Sequence, residues 1–200
     1  MSTFYKTIFA AALVCSAFAS QAQTTRLRGT IESAQAGTLT VRLSDGAQST
    51  VVLAPNANIV GVVKASMSDI KEGSFIGSAA MPQSDGTQRA LEVHIFPEEM
   101  RGTGEGHRPY APVPQSTMTN GATAGSPVMG VEGSTITIKY KEGEKKIVVP
   151  PNTPVVSYVL GSSADLKPGA HFTVLAATKK PDGTYEANRI NVGRDGVVPQ

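Results

Sequence analysis

The sequence predicts a mainly β protein of two tandem five-stranded Greek-key barrels, each with one short helix between its third and fourth strands. Three observations lead to this prediction. The chain repeats itself, with four blocks in the same order at offsets of 96 or 97 residues. Within each copy, apolar and polar residues alternate with a period of two, which is typical of strands with one buried face. Asp-Gly and similar turn signals separate these runs.

The internal repeat defines the domain boundaries. The corresponding blocks are GTLTVRLSDG with STITIKYKEG, APNANIV with PPNTPVV, SDIKEGSF with ADLKPGAH, and SDGTQRALEVHI with PDGTYEANRINV. We therefore predict a first β repeat over residues 24–97, a Gly/Pro-rich connector over 98–115, a second β repeat over 116–193 and a short tail over 194–200.

Each copy predicts the same order of elements. GTLTVRL alternates and predicts a strand, and SDGAQ predicts the hairpin turn that leads into the next one. SMSDIKEG is the candidate for the short helix, since serine or aspartate can cap its start and glycine can end it. Two further strands follow across an Asp-Gly turn, and the last has a predicted buried face at Leu91, Val93 and Ile95.

The order of these elements points to a known architecture. Three strands, a short helix and two more strands, in about 70 to 75 residues, are typical of a five-stranded barrel of the OB type. The second copy is least regular at TNGATAGSPVMGVEGS, which is Gly-rich where its first strand should lie. An open sheet, or a flatter sandwich built from both copies, is the structural alternative.

The N-terminus predicts export. Basic Lys6 precedes an apolar run and then small residues, which together indicate a signal peptide over residues 1–22, cleaved after Ala22. The run is about a dozen residues long, whereas a bilayer span needs roughly 20. We expect a periplasmic or secreted mature chain without a membrane span. Cys15 is the single cysteine, so the mature chain would lack disulfides and thiol chemistry.

The charge pattern argues against nucleic acid. A formal net charge of +2 creates no strong overall field for a polyanion. The basic hairpin KYKEGEKK is diluted by Glu142 and Glu144, and we interpret it as a solvated hairpin whose lysines protect exposed strand. Although OB barrels often bind single strands, we expect no nucleic-acid partner.

Several motifs give the chain a resemblance to a known group of proteins. They are GTIES, GTLTV, VVKASMSDIKEGSFIG, ALEVHIFPEEMRGTGEGHRPY, STMTN and KYKEGEKKIVVPPNTPVV. With them the chain resembles uncharacterised secreted bacterial proteins with OB-like β repeats, a domain of unknown function. Members often carry the label of a metal ABC transporter permease, which needs several spanning helices that this sequence lacks. The resemblance implies the fold and export, and it implies no activity.

A hydrolase is the weakest functional hypothesis. Ser68 and Lys71 form an S-x-x-K pattern, which in some acyl-transfer enzymes pairs a nucleophile with a base. The second copy has Ala164 at the serine position, and the partner motifs are missing. We therefore expect a protein without catalytic residues.

A divalent metal is the main alternative. His94, Glu105 and His107 offer imidazole and carboxylate ligands, which suit zinc, nickel or copper in a thiol-free protein. No two histidines share a motif such as H-x-H, so ordinary partners for them are the favoured interpretation. A periplasmic divalent-metal-binding accessory protein is the alternative function, and no other cofactor is expected.

The connector MRGTGEGHRPYAPVP carries more functional side chains than a tether requires. The candidate binding residues are Arg101, Glu105, His107, Arg108 and Tyr110. We expect the connector to pack in the cleft between the barrels. The leading hypothesis is a non-enzymatic binding or interaction module of the cell envelope, with an envelope protein, a glycan or a small anion as its partner.

Overall fold

The computed structural model describes residues 24–131 and 133–200, so the signal-peptide prediction lies outside the described residues. The described chain is mainly β. Its strands are β1 (Thr24–Gln35), β2 (Thr38–Leu43), β3 (Gln48–Lys64), β4 (Phe75–Pro82), β5 (Gln88–Ile95), β6 (Gly106–Pro109), β7 (Thr117–Thr123), β8 (Val128–Gly130), β9 (Gly133–Tyr140), β10 (Gly143–Val149), β11 (Val155–Leu160), β12 (His171–Lys179) and β13 (Tyr185–Gly193).

The predicted short helices are reduced to single 3₁₀ turns. These turns are Met67–Asp69 and Ser163–Asp165, and a third, Glu98–Met100, lies in the connector. Each of the first two ends where the next residue, Ile70 or Leu166, is buried in a hydrophobic core. Because that anchoring residue follows immediately, the helix has no room for a second turn. In the part of the chain that the structure describes, no helix is long and apolar enough to cross a membrane.

The hydrogen-bonded ladders close a first ring of five strands. Its order is β1-β2-β3-β13-β12, and β12 returns to β1. β3 and β13 run parallel, while the other four ladders are antiparallel. The interior is apolar and includes Leu27, Ile31, Leu39, Val41, Val51, Phe172, Val174, Ile190 and Val192.

A second ring closes in the same way. Its order is β7-β9-β10-β5-β4, with a parallel ladder between β10 and β5. Its interior includes Ile76, Val93, Ile136, Ile138, Ile147 and Val149. The prediction of a mainly β fold with a five-stranded barrel is confirmed.

The two sequence copies exchange their last hairpins. The first ring combines β1, β2 and β3 of the first copy with β12 and β13 of the second, and the second ring makes the reciprocal combination. The sequence predicts two repeats, 24–97 and 116–193, that each close on themselves. The strand pairing differs, because each ring contains strands from both copies. In the first copy this exchange is accompanied by a long β3, whose 17 residues extend about 55 Å. It carries the chain out of the first ring before β4 begins.

Antiparallel pairing between β3 and β11 joins the rings along a seam. Five residue pairs form this ladder, and Val62 opposite Tyr158 is the central pair. These two residues correspond in the two copies at the offset of 96. The seam is thus locally two-fold, and its own small core consists of Val60, Val62, Phe75, Phe96, Val156 and Tyr158.

The Gly-rich segment of the second copy does contain its first strand, β7. A Cβ atom on Gly121 would lie 2.1 Å from the carbonyl oxygen of Lys139, and one on Gly29 in β1 would lie 2.0 Å from that of Arg42. Lys139 and Arg42 correspond in the two copies. Both first strands therefore cross their second strands at the same point, where only glycine fits. β8 extends the second hairpin and pairs with β9.

The predicted buried face of β5 is wrong at one residue. Leu91 is 38% exposed, whereas Val93 is fully buried. Ala79 pairs with Glu92 and Ala80 with Ala90, so Leu91 is the extra residue of a β-bulge. The bulge turns Leu91 away from the ring interior.

Candidate binding cleft between the two rings

Two small cavities lie between the outer faces of the rings and share Tyr110 and Gln200. The first, of about 230 Å³, is bordered by Arg26, Arg28, Ala79, Leu91, Glu92, Pro112, Val113 and Pro154. The second, of about 130 Å³, is bordered by His94, Phe96, Thr103, Gly104, Arg108, Met118, Asn120, Tyr158, Leu175, Arg189 and Asn191. We call both together the arginine cleft, after Arg26, Arg28, Arg108 and Arg189.

Strand β1 supplies the basic side of the larger cavity. Arg26 and Arg28 flank the core residue Leu27, so alternation directs both away from the ring interior. Arg26 Nη1 donates to the Tyr110 hydroxyl over 3.4 Å, and its guanidinium carbon lies 6.0 Å from the centre of that ring. Arg26 Nε is buried and has no partner among the described residues. The connector thus braces Arg26 and leaves a donor unused.

Strand β5 supplies a buried acid and imidazole pair. Glu92 Oε1 and His94 Nε2 are 2.6 Å apart, and their side chains are only 8% and 5% exposed. The His94 ring stacks on Tyr158 with 5.2 Å between ring centres. Because a buried carboxylate needs a partner, this contact holds Glu92 in place at the border of the larger cavity.

Strand β13 supplies the corresponding pair of the second copy. Arg189 Nε donates to Asn191 Oδ1 over 3.1 Å. The Arg189 guanidinium carbon lies 6.0 Å from the centre of the Tyr158 ring. Burial lowers the pKa of Arg189, but a guanidinium still stays protonated at neutral pH. Arg189 therefore places a positive charge at the smaller cavity.

Tyr158 lies between the two pairs. It contacts His94 on one side and Arg189 on the other. Burial raises the pKa of its phenol, as does the charge of Glu92, while Arg189 and Arg26 act in the opposite direction. The phenol is therefore neutral, and five charged or titratable side chains lie near it: Arg26, Glu92, His94, Tyr110 and Arg189.

Asn120 brings a second incompletely bonded group to the cleft. Its side chain is buried, and Nδ2 donates to the Thr103 carbonyl over 3.0 Å. Oδ1 is buried without a partner among the described residues. The hydrogen bond from Nδ2 fixes the amide orientation, so the unused atom is an acceptor.

The tail packs across the seam. The Thr173 hydroxyl donates to the Pro199 carbonyl over 2.8 Å, and Arg194 Nε donates to Asp165 Oδ1 over 2.7 Å. Val197 packs against the core of the seam. These contacts bring Gln200 to the border of both cavities.

Two of the predicted connector residues lie in the cleft. Tyr110 borders both cavities, and Arg108 borders the smaller one. Arg108 also donates to the Gly104 carbonyl over 2.6 Å, which holds its side chain over its own segment.

The other three connector residues have structural partners elsewhere. Arg101 forms two hydrogen bonds to Glu98, and Nη2 also donates to the Gly73 carbonyl over 3.0 Å. The backbone N–H of Lys141 donates to Glu105 Oε1 over 3.1 Å. His107 Nδ1 lies 2.8 Å from the Thr119 hydroxyl, and burial together with nearby Lys145 lowers the pKa of His107. These contacts attach the connector, including the unpredicted strand β6, to the second ring.

The predicted metal ligands do not form a joint site. His94 contacts Glu92, Glu105 contacts Lys141 and His107 contacts Thr119. Two strands, β4 and β7, separate β5 from β6 in the sheet. Within residues 24–131 and 133–200, no group of three or more His, Cys, Asp or Glu side chains is placed to hold a metal ion.

The S-x-x-K pattern does not form a nucleophile and base pair. The Lys71 amine donates to the backbone carbonyl of Ser68 over 2.6 Å, not to its hydroxyl. The Ser68 hydroxyl lies 2.7 Å from that of Ser66. Both side chains serve the exposed 3₁₀ turn.

A larger groove of about 730 Å³ lies beside the cleft, along Pro150 to Pro154, Lys64 to Met67 and the tail. Its accessible lining is mainly apolar, and Glu92 reaches its border. We place the candidate site in the smaller cleft instead, because both residues with an incompletely bonded polar atom border it.

Sequence reasoning missed Arg26, Arg28, Glu92, Arg189 and Asn120. One available signal would have found two of them, since Glu92 and Arg189 occupy the same position of the two copies with opposite charge. No family model matches the chain, and no curated protein or solved structure matches it. Functional inference therefore depends on the chemistry of the cleft.

Proposed function

We propose that the chain is an exported, non-enzymatic binding protein whose ligand site is the arginine cleft. We interpret the two rings as OB-like barrels with exchanged hairpins. The order 1-2-3-5-4, with a parallel ladder between strands 3 and 5, supports that interpretation. The signal-peptide pattern ending at Ala22 supports export to the periplasm or beyond.

One observation carries the choice of site. Among the described residues, two buried side-chain nitrogen or oxygen atoms lack a partner, Arg26 Nε and Asn120 Oδ1. Both belong to residues that border the cleft. Because buried polar atoms in folded proteins are nearly always hydrogen-bonded, these two atoms mark the cleft as the place where the bonding of the described chain is incomplete.

The chemistry of the cleft favours binding over catalysis. Its arginines donate hydrogen bonds but do not exchange protons at neutral pH. His94 already contacts Glu92 through Nε2, and Tyr158 covers one face of its ring. Fixed donors and aromatic faces are what a small polar ligand requires.

The proposal can be tested by filling the larger cavity with a bulky side chain. Leu91→Trp places an indole at its border, and Val52→Trp is the matched control, because Val52 is 37% exposed and borders neither cavity. Mature wild-type protein and both variants would be isolated from the native periplasm and examined by native mass spectrometry. We expect a small-molecule adduct on the wild type and on Val52→Trp, and its loss from Leu91→Trp.

Two results would contradict the proposal. One is a wild-type protein that carries no adduct and gains none from a periplasmic extract. The other is an adduct that survives in Leu91→Trp, which would place the ligand outside the cleft.

A further inference from the structure

Ion pairing distinguishes the four arginines of the cleft from three of the four other arginines in the described chain. Outside the cleft, Arg42, Arg101 and Arg194 each form an ion pair with a carboxylate, at 2.6, 2.5 and 2.7 Å. Arg89 is exposed on β5 and forms none with a described residue. The four arginines of the cleft likewise have no carboxylate partner among the described residues.

The cleft therefore contains an excess of positive charge. Glu92 is the one acidic side chain among the described residues that border it, and its Oε1 already contacts His94. Guanidinium groups that are partly removed from water without a counter-charge are unfavourable. An anion that enters the cleft would compensate for that cost.

Two of these arginines are also held in position. Tyr110 braces Arg26 through the hydroxyl contact, and Asn191 and Tyr158 brace Arg189. The bond to Asn191 uses Nε of Arg189, so both terminal nitrogens can still donate. Restricting the side chains before binding lowers the entropy cost of binding.

We propose that the arginine cleft binds a small oxyanion, a carboxylate or phosphate group, at the guanidinium groups of Arg26 and Arg189. This inference rests on the proposed function and specifies its ligand. Planar guanidinium forks match both groups through paired hydrogen bonds. Cavities of about 230 and 130 Å³ fit such a headgroup with a small organic body rather than a polymer.

The experiment uses sodium phosphate and sodium acetate as separate probes. Each would be titrated at low ionic strength into ¹⁵N-labelled mature protein, with sodium chloride as the ionic-strength control. We expect saturable shifts at the amides of Tyr110, Tyr158 and Arg189 with at least one probe. Comparing the two affinities then distinguishes a phosphate site from a carboxylate site.

Three variants make the test specific. Arg26→Gln and Arg189→Gln should each weaken binding at least tenfold, because each removes a charged donor from the site. Arg89→Gln is the control, because it removes one positive charge at a position outside the cleft. It should leave the dissociation constant unchanged. Retained far-UV circular dichroism and the same unfolding midpoint would show that the folds are intact.

The proposal is overturned if neither probe gives saturable shifts at the cleft, or if Arg89→Gln weakens binding as much as the cleft variants do. A neutral adduct that Leu91→Trp abolishes, together with no response to phosphate or acetate, would reject the oxyanion and retain the proposed site. Absence of both an adduct and an anion response would reject the site itself.

Discussion

Corresponding positions of the two sequence copies border the two cavities of the cleft, yet the cavities differ in charge. The larger one places Arg26 and Arg28 of β1 near Glu92. In the smaller one, Met118 and Asn120 of β7 occupy the matching positions before the crossing glycine. At the position that corresponds to Glu92, the smaller cavity has Arg189. The larger cavity thus combines arginines with an acid, whereas the smaller one has no acidic side chain among its described lining residues.

This difference shows which parts of the unit the fold requires. Val93 and Ile190 correspond in the two copies, and both are fully buried inside their rings. Positions on the outer face of the same strands have diverged from Glu to Arg and from His to Asn. Packing restricted the inward positions, whereas the positions facing the cleft were able to change their chemistry.

The largest expected effect comes from breaking the Glu92–His94 pair, which the second copy replaces with Arg189 and Asn191. Glu92→Ala leaves His94 buried without its partner and should lower the free energy of unfolding by about 3–5 kcal/mol. Arg189→Ala, at the matching position, should cost less, because Arg189 is half-buried and its partner Asn191 is neutral. Urea unfolding followed by circular dichroism measures both. Equal losses would contradict the asymmetry.

Replacing the central tyrosine with its counterpart would make the seam more symmetric. Tyr158→Val copies Val62, the residue opposite. It removes the stack on His94 and the contact with Arg189 and leaves a cavity, so we expect a loss of about 2–3 kcal/mol. Thermal unfolding of the variant measures it. Tyr158→Phe keeps the ring and should stay close to wild type; a large loss there would instead implicate the hydroxyl.

Making the second copy resemble the first should cancel the positive charge of the smaller cavity, where Arg108 remains beside the new carboxylate. Arg189→Glu combined with Asn191→His reproduces the pair of β5. We expect phosphate or acetate affinity to fall at least tenfold, equivalent to about 1.4 kcal/mol. The same titration of the amide spectrum measures it. Unchanged affinity would show that the anion does not use β13.

The smallest effect is expected at Asp69 and Asp165, the last residues of the 3₁₀ turns in the two copies. Asp165, whose side chain is 12% exposed, is bonded to Arg194, whereas its counterpart Asp69 is bonded to Ser66. Hydrogen bonding from Arg194 lowers the pKa of Asp165 below its ordinary value. Asp165→Asn should therefore cost about 1 kcal/mol at neutral pH, and Asp69→Asn less.

The pH dependence of this pair follows from the lowered pKa of Asp165. Its stabilisation is complete above the unfolded pKa of about 3.9, and is lost as pH falls through the lower folded pKa. The difference between wild type and Asp165→Asn should thus be constant from pH 7 to 5 and disappear in stronger acid. Urea unfolding at several pH values measures it, and a difference that grew in acid would contradict the sign.

The sequence predicted the strands better than their partners. Alternation located β2 and β9 and the Asp-Gly turns, because those signals are local. It did not reveal the exchange, since β4–β5 and β12–β13 present similar apolar faces and fit either ring. The bulge at Leu91 also has no sequence signature.

For the cleft, the sequence predicted connector residues but none of the strand residues that line the cavities with them. Tyr110 and Arg108 stood out by composition, and both border the cavities. Arg26 and Arg189 are 163 residues apart in the sequence, and both border the cleft because β1 and β13 belong to the same ring. Without strand partners, no sequence pattern could have placed them together.

The exchanged hairpins also set the order of folding. Strands β1, β2 and β3 emerge first during synthesis, yet their ring stays open until β12 and β13 have been made more than a hundred residues later. Proteins dominated by such distant pairings fold slowly. An incomplete ring exposes apolar surface and unpaired strand edges, both of which promote aggregation. A chain interrupted anywhere before Tyr185 would therefore contain no complete first ring, whereas every strand of the second ring has been made by Val149.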